Sequence, residues 1–157
     1  MIIFNTPSAA VLEEDIRRTL NEQGFQNEKK EGVLFIKKND NSFRVYLWDT
    51  SNKHIKRLYF IYDFGDENIP KVSNEGWAVG VNKINYDNPH TTFISFPDHF
   101  SCRYETAINN TRDFMTEFHA AYQAIGNALD DYNKLYPSLE RDYPNTETDN
   151  KNSIGFK

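Results

Sequence analysis

The first pattern along the chain is a set of hydrophobic residues at helical spacing. Four of them fall on one face of a predicted helix: Val11, Leu12, Ile16 and Leu20. Thr6 and Pro7 predict its start, because threonine caps first-turn amides and proline is accommodated at the first helical position. Gly24 predicts its end, since glycine readily takes the left-handed conformation that closes a helix, and Phe25 is expected to fold back onto Leu20.

Three apolar stretches of strand length follow, and in the second and third the large residues alternate between the two sides of the strand. They lie at 32–38, 42–49 and 55–64. Asn39, Asp40 and Asn41 tolerate positive φ, so they predict a turn between the first two stretches. Because the connections are short, the three strands are expected to form an antiparallel meander.

Two weaker elements follow the meander. A helical pattern lies at 75–86, with three apolar residues on one face: Trp77, Val81 and Ile84. Gly76 and Gly80 interrupt it, and each glycine lowers the helix propensity by about 1 kcal/mol. Alternating residues at 91–96 and 100–107 then flank a short turn and predict a β-hairpin.

The longest periodic stretch lies at 111–136 and predicts the last helix. Its apolar stripe contains these residues: Phe114, Phe118, Ala121, Ile125, Ala128 and Tyr132. Asn110 or Thr111 is expected to cap the first turn, because its side-chain oxygen can accept from an unpaired amide. Pro137 is expected to end the helix, because the residue before a proline disfavours helical geometry.

Together these elements predict one α+β domain over residues 1–139, in the order α-β-β-β-α-β-β-α. The strands are expected to form a five-stranded, mainly antiparallel sheet. The first and last helices are expected on one face of this sheet, and the 75–86 helix towards the other. Residues 140–157 are rich in Asn, Thr, Asp, Glu and Lys, so they predict a disordered tail.

The predicted meander has two apolar faces, whereas a sheet with helices on one side only is expected to have a polar second face. The 75–86 helix would be about 18 Å long and could not cover three strands. Leftover apolar surface is typical of an interaction site. The sequence therefore predicts a protein-contact surface made by these residues: Tyr46, Trp48, Tyr59 and Ile61 of the meander, with Trp77, Val81 and Ile84 of the helix.

Charge and composition narrow the class of partner. The formal net charge of −5 disfavours nucleic acid and anionic membranes, because both are bound through patches of Lys and Arg. No apolar run approaches the roughly 20 residues of a membrane span, and the start lacks a signal-peptide pattern. A cytoplasmic protein is the expectation. The single cysteine, Cys102, excludes an internal disulfide and is expected to be a small buried apolar residue.

Candidate catalytic residues are few. Asp63, Asp66 and Glu67 crowd the end of the third predicted strand and could form an acid–base pair or a magnesium site. One of them ends a strand and two lie in a glycine-containing loop, which is typical of solvated loops. The four histidines have no other His or Cys at ligand spacing, and phosphate-binding and nucleophile motifs are missing. No catalytic residue, metal or cofactor is therefore predicted.

The order of elements resembles the type III secretion chaperone-like fold and, within it, the YbjN-type bacterial sensory transduction regulators. The resemblance spans about residues 8–136 and is carried by these features: 77–86 running into Asn88, the hairpin 91–107, and 109–111 leading into Phe114, Phe118 and Tyr122. It implies a non-enzymatic protein that dimerises and works through protein contacts. In the secretion chaperones, extended partner segments wrap apolar sheet and helix surfaces. The resemblance assigns no role to an individual residue.

The sequence thus predicts a non-enzymatic protein-binding module, chaperone-like or regulatory, that acts through its aromatic sheet face and as a homodimer. Its partner is expected to be a protein or peptide. Two other classes stay open. One is a small enzyme or ligand-binding domain with an aromatic pocket and the carboxylates Asp63, Asp66 and Glu67. The other is a toxin-neutralising partner protein.

Overall fold

The computed structural model describes residues 13–146. In chain order its elements are α1 (Glu13–Glu22), β1 (Gln26–Lys30), β2 (Val33–Lys38), β3 (Asn41–Asp49), β4 (Lys56–Phe64), a short 3₁₀ helix (Ile69–Lys71), α2 (Asn74–Asp87), β5 (Thr91–Ser95), β6 (Phe100–Ile108) and α3 (Asp113–Asp142). The predicted helix start at Thr6 and Pro7, the apolar positions Val11 and Leu12, and residues 147–157 of the predicted tail lie outside the described residues.

The strands form one antiparallel sheet of six, in the order β1-β2-β3-β4-β6-β5. The α+β class is confirmed, but the predicted count of five strands is wrong because it omits β1. This strand is polar throughout, since it lies at an edge of the sheet, where charged side chains also discourage pairing with other chains. Glu31 and Gly32, with φ of 52° and 79°, make the two-residue turn into β2. Asn39 and Asp40 have φ of 49° and 65°, which confirms the predicted turn at these two residues, whereas Asn41 is already the first residue of β3.

All three described helices lie on the same face of the sheet. Trp77 of α2 stacks on Tyr132 of α3 with ring centroids 6.0 Å apart, and it lies 4.8 Å from Phe100 of β6. The expectation that α2 lies towards the opposite face is therefore wrong. The two glycines of α2 explain its position, because they let it approach α3 closely. A Cβ on Gly76 would lie 2.5 Å from Tyr143 Cβ, and one on Gly80 would lie 2.5 Å from Leu139 Cδ1.

Helix α3 continues past Pro137 to Asp142, so the predicted end is wrong. Leu139 in its last turn is only 3% exposed, and this burial outweighs the backbone hydrogen bond that Pro137 cannot make. At the start, the Asp113 N–H donates to Asn110 Oδ1 at 3.0 Å, which confirms Asn110 as a capping residue. None of the helices within residues 13–146 has the length and apolarity needed to cross a membrane.

The core lies between the helices and the sheet, and aromatic rings dominate it. Its largest fully buried side chains include these: Phe60, Phe93, Phe100, Phe114 and Phe118. Each such ring buries on the order of 150–250 Å². Ile16 and Leu20 of α1 are fully buried as predicted, and the Phe25 N–H donates to Leu20 O at 2.9 Å beyond Gly24. Cys102 is also fully buried, and burial raises the pKa of its thiol to about 12.

Candidate protein-contact surface

The side of the sheet away from the helices is uncovered by any helix within the described ranges. Phe43, Val45 and Phe60 point into the core, so the residues that alternate with them point to the opposite side. We call that side the open face. Its central residues are Phe35, Arg44, Tyr46, Trp48, Arg57, Tyr59, Ile61, Asp63, Ser101, Arg103 and Glu105.

An aromatic cluster lies at the centre of the open face. The Trp48 ring centroid is 6.2 Å from that of Tyr46 and 4.7 Å from that of Tyr59. Trp48 is 54% exposed, whereas Tyr59 is only 5% exposed. Trp48 and the Arg103 guanidinium, 5.5 Å from the Tyr59 ring centroid, shelter Tyr59 from the solvent side. The structure thus brings Tyr46, Trp48, Tyr59 and the half-buried Ile61 together, as the alternation in the sequence predicts.

Charged side chains surround the aromatic cluster. Arg44 Nε donates to Asp63 Oδ2 at 2.6 Å, and Arg44 Nη1 donates to the Tyr46 hydroxyl at 3.0 Å. Burial acts to lower the pKa of Arg44, but the hydrogen bond and charge of Asp63, together with Tyr46, outweigh it and raise the pKa. Arg57 Nε lies 3.1 Å from Glu105 Oε1. These contacts hold the side chains in fixed positions around the rings.

Two polar atoms of the open face are buried without a hydrogen-bond partner in the described part of the chain. They are Asp63 Oδ1 and Arg103 Nε. A buried polar group without a partner costs about 1–3 kcal/mol. Both side chains therefore have hydrogen-bonding capacity that the protein does not use within residues 13–146.

Three residues of the predicted contact surface lie elsewhere. Trp77 and Ile84 of α2 are buried in the core, and Trp77 Nε1 donates to Ile69 O at 2.9 Å. Val81 is half-buried and lines an open groove of about 930 Å³ between α2, the 3₁₀ helix and the edge strand β5. The structure does not bring these three residues to the open face.

The sheet separates Asp63 from the other two candidate catalytic carboxylates. Asp63 pairs with Arg44 on the open face. On the helix side, Asp66 accepts from the Tyr132 hydroxyl and from the Asn68 N–H, and burial together with Asp66 raises the pKa of Tyr132. Glu67 is exposed in the loop. Residues 13–146 contain no group of three or more His, Cys, Asp or Glu side chains arranged to hold a metal ion.

The arginines of the open face are not among the predicted contact residues. Arg44, Arg57 and Arg103 each alternate with core residues on their strands, so the period-two pattern could have placed them there. Their contacts with Asp63, Glu105 and Tyr59 depend on the pairing of distant strands, which alternation alone does not give. The open face is therefore a mixed aromatic and charged surface.

No protein-family model matches the chain, and no curated protein matches it at a significant level. Among solved structures, the chain is similar to the crystal structure of YbjN, a putative transcription regulator from E. coli. The TM-score is 0.49 at 10% sequence identity, over 87% of this chain and 98% of that chain. YbjN is also the type that the order of elements resembles. The similarity concerns the fold, and it carries no residue role or activity over to this chain.

Proposed function

We propose that the protein is a non-enzymatic protein-binding module, chaperone-like or regulatory, that works through the open face and as a homodimer. Trp48 carries the proposal, because it is 54% exposed within an aromatic cluster on the open face. Tryptophan, tyrosine and arginine are enriched in protein interfaces, where their large side chains supply much of the binding energy. All three residue types lie next to one another here.

The test is the variant Trp48→Ser. We expect it to lower association, with a second copy or another protein, by about tenfold or more, because a central tryptophan is a typical binding hot spot. Light scattering over a concentration series measures self-association, and chemical cross-linking in the native cell extract measures binding to other proteins. Circular dichroism should stay unchanged, since the Trp48 side chain is half in solvent.

Tyr86→Ser is the matched control. Tyr86 is an aromatic residue of α2, is 87% exposed and lies outside the open face, so its loss should leave association unchanged. Equal association of Trp48→Ser and the natural protein in both measurements would refute the proposal. Loss of the folded structure in Trp48→Ser would also count against it, because that result would make Trp48 a core residue.

A further inference from the structure

The strand register arranges the open face in rows that run across the sheet. One row consists of these residues: Glu28, Phe35, Arg44, Ile61, Arg103 and Thr92. The next row contains Lys30 and Val33, which pair with each other, and Tyr46, Tyr59 and Glu105, which are also paired in turn. On β1, β2, β3, β4 and β6, a residue of the first row is two positions away from a residue of the second. The two rows are complementary in charge, because Glu28 in the first corresponds to Lys30 in the second, and Arg103 in the first corresponds to Glu105 in the second.

We propose that the open face binds the open face of a second copy of this chain. The two copies are related by a two-fold axis that lies between the two faces, runs parallel to the sheet and across its strands, and passes between these two rows. The inference rests on the proposed function and identifies the partner and its orientation. Such an axis places each strand over the same strand of the second copy and exchanges the two rows. Arg103 then faces Glu105 of the second copy. Ile61 lies over the position of Tyr59 of the second copy, where Trp48 and Arg103 cover the Tyr59 ring.

Charge complementarity selects this axis. Asp63, in the row beyond Ile61, faces Arg57 of the second copy, and Glu28 at the sheet edge faces Lys30 of the second copy. Arg44 faces the ring of Tyr46 of the second copy, which is a favourable arrangement for a cation and an aromatic face. No two like charges of these rows meet. An axis parallel to the strands would instead place arginines opposite apolar residues, with Arg103 over Phe35.

Two charged side chains with unpartnered atoms occupy charge-matched positions about the same axis. Asp63 Oδ1 and Arg103 Nε are the open-face atoms that are buried without a hydrogen-bond partner among the described residues. Their side chains are the ones that would face Arg57 and Glu105 of the second copy. Hydrogen bonds between oppositely charged groups are stronger than those between neutral groups. The parts of these half-buried side chains that remain accessible would then lie opposite a group of the opposite charge.

The size of the open face also fits a dimer. Six strands about 4.8 Å apart span about 24 Å, and the nine-residue strands β3, β4 and β6 are about 30 Å long. The face therefore offers about 700 Å², close to the roughly 800 Å² that each partner buries in a standard interface. Packed sheets are rotated by about 30° because of their twist, so the pairs near the centre stay closest in register.

Charge reversal tests the arrangement. Arg103→Glu would place two glutamates opposite each other at both symmetry-related contacts on β6, and Glu105→Arg would do the same with arginines. We expect each single variant to weaken dimerisation by about tenfold or more, because like charges in an interface are costly. The double variant Arg103→Glu/Glu105→Arg restores opposite charges across the axis and should recover most of the affinity. Sedimentation velocity over a concentration series measures these changes.

The control for net charge is Lys134→Glu, an equal charge reversal at an exposed position on α3, which should leave dimerisation unchanged. A natural protein that stays monomeric up to millimolar concentration would overturn self-pairing and the homodimer part of the proposed function. Binding of another protein through Trp48 would then still support a protein-binding module that works through the open face. If a dimer forms and Trp48→Ser weakens it, but the double variant does not recover affinity, the two-fold arrangement is wrong and the proposed function stands. If neither Trp48→Ser nor Arg103→Glu has an effect, both proposals fail.

Discussion

A single asparagine makes hydrogen bonds with the backbone of the edge strand β5, beside α2. Asn85 Nδ2 donates to Phe93 O at 3.0 Å, and the Phe93 N–H donates to Asn85 Oδ1 at 2.6 Å. β5 pairs with β6 on its other side only, so these backbone groups would otherwise lack a strand partner. The amide of Asn85 thus replaces a neighbouring strand at the position of the fully buried Phe93 ring. Exposed edges invite pairing with other chains, and this contact blocks one.

Asn85→Ala should destabilise the protein by about 1–3 kcal/mol, because it leaves a backbone donor and acceptor unpaired. Urea unfolding followed by tryptophan fluorescence measures the change. Asn82→Ala is the control, since Asn82 lies on the same helix and is exposed, so its replacement should change stability by less than about 0.5 kcal/mol. Equal stability of the two variants would show that the Asn85 contacts contribute nothing.

At the scale of elements, α2 is a weak helix that packs tightly. Gly76 and Gly80 lower its intrinsic propensity, yet a Cβ at Gly76 would lie within 2.6 Å of both Tyr143 Cβ and Val72 Cγ1. The glycines thus lower the helix propensity of α2, but they allow it to lie in close contact with the end of α3. Gly126, in the middle of α3, is the opposite case, because a Cβ there would meet no atom within 4 Å.

Gly76→Ala and Gly126→Ala should therefore have opposite effects. Gly76→Ala should destabilise by about 1–3 kcal/mol, because overpacking forces backbone and side chains apart. Gly126→Ala should stabilise by about 0.5–1 kcal/mol, because alanine loses less conformational freedom in a helix. Thermal unfolding of both variants provides the measurement. A stabilised Gly76→Ala would mean that propensity, and not helix packing, decides at α2.

The elements also show how far the sequence predicts the structure. Alternation places Tyr46, Trp48, Tyr59 and Ile61 on one face correctly, because a strand has a strict period of two. The same rule cannot detect β1, whose edge position requires no apolar pattern. It cannot choose the side on which α2 packs, because Trp77 offers an apolar face to either side. Local rules also fail at Pro137, where burial of Leu139 extends the helix.

At the scale of the whole molecule, the helices cover one side of the sheet and bury protonated thiol and phenol groups between helices and sheet. Burial raises the pKa of Cys102 from 9.0 to about 12. Burial and the nearby Glu117, which accepts a hydrogen bond from the Tyr104 hydroxyl at 2.9 Å, raise the pKa of Tyr104 from 10.0 to about 12. Burial and Asp66 raise the pKa of Tyr132 in the same direction. The folded protein therefore holds protons that the unfolded chain releases.

This difference sets the sign of the alkaline pH dependence. Below about pH 9 both states keep these protons, so stability is unaffected by them. Above pH 9 for Cys102 and pH 10 for Tyr104, the unfolded chain ionises first, and stability should fall until the folded groups titrate near pH 12. Urea midpoints measured at intervals from pH 7 to about pH 11 should decline above pH 9. Tyr104→Phe removes one titrating group, so its decline should be shallower than that of the natural protein. A constant midpoint up to about pH 11 would show that these groups ionise equally in both states.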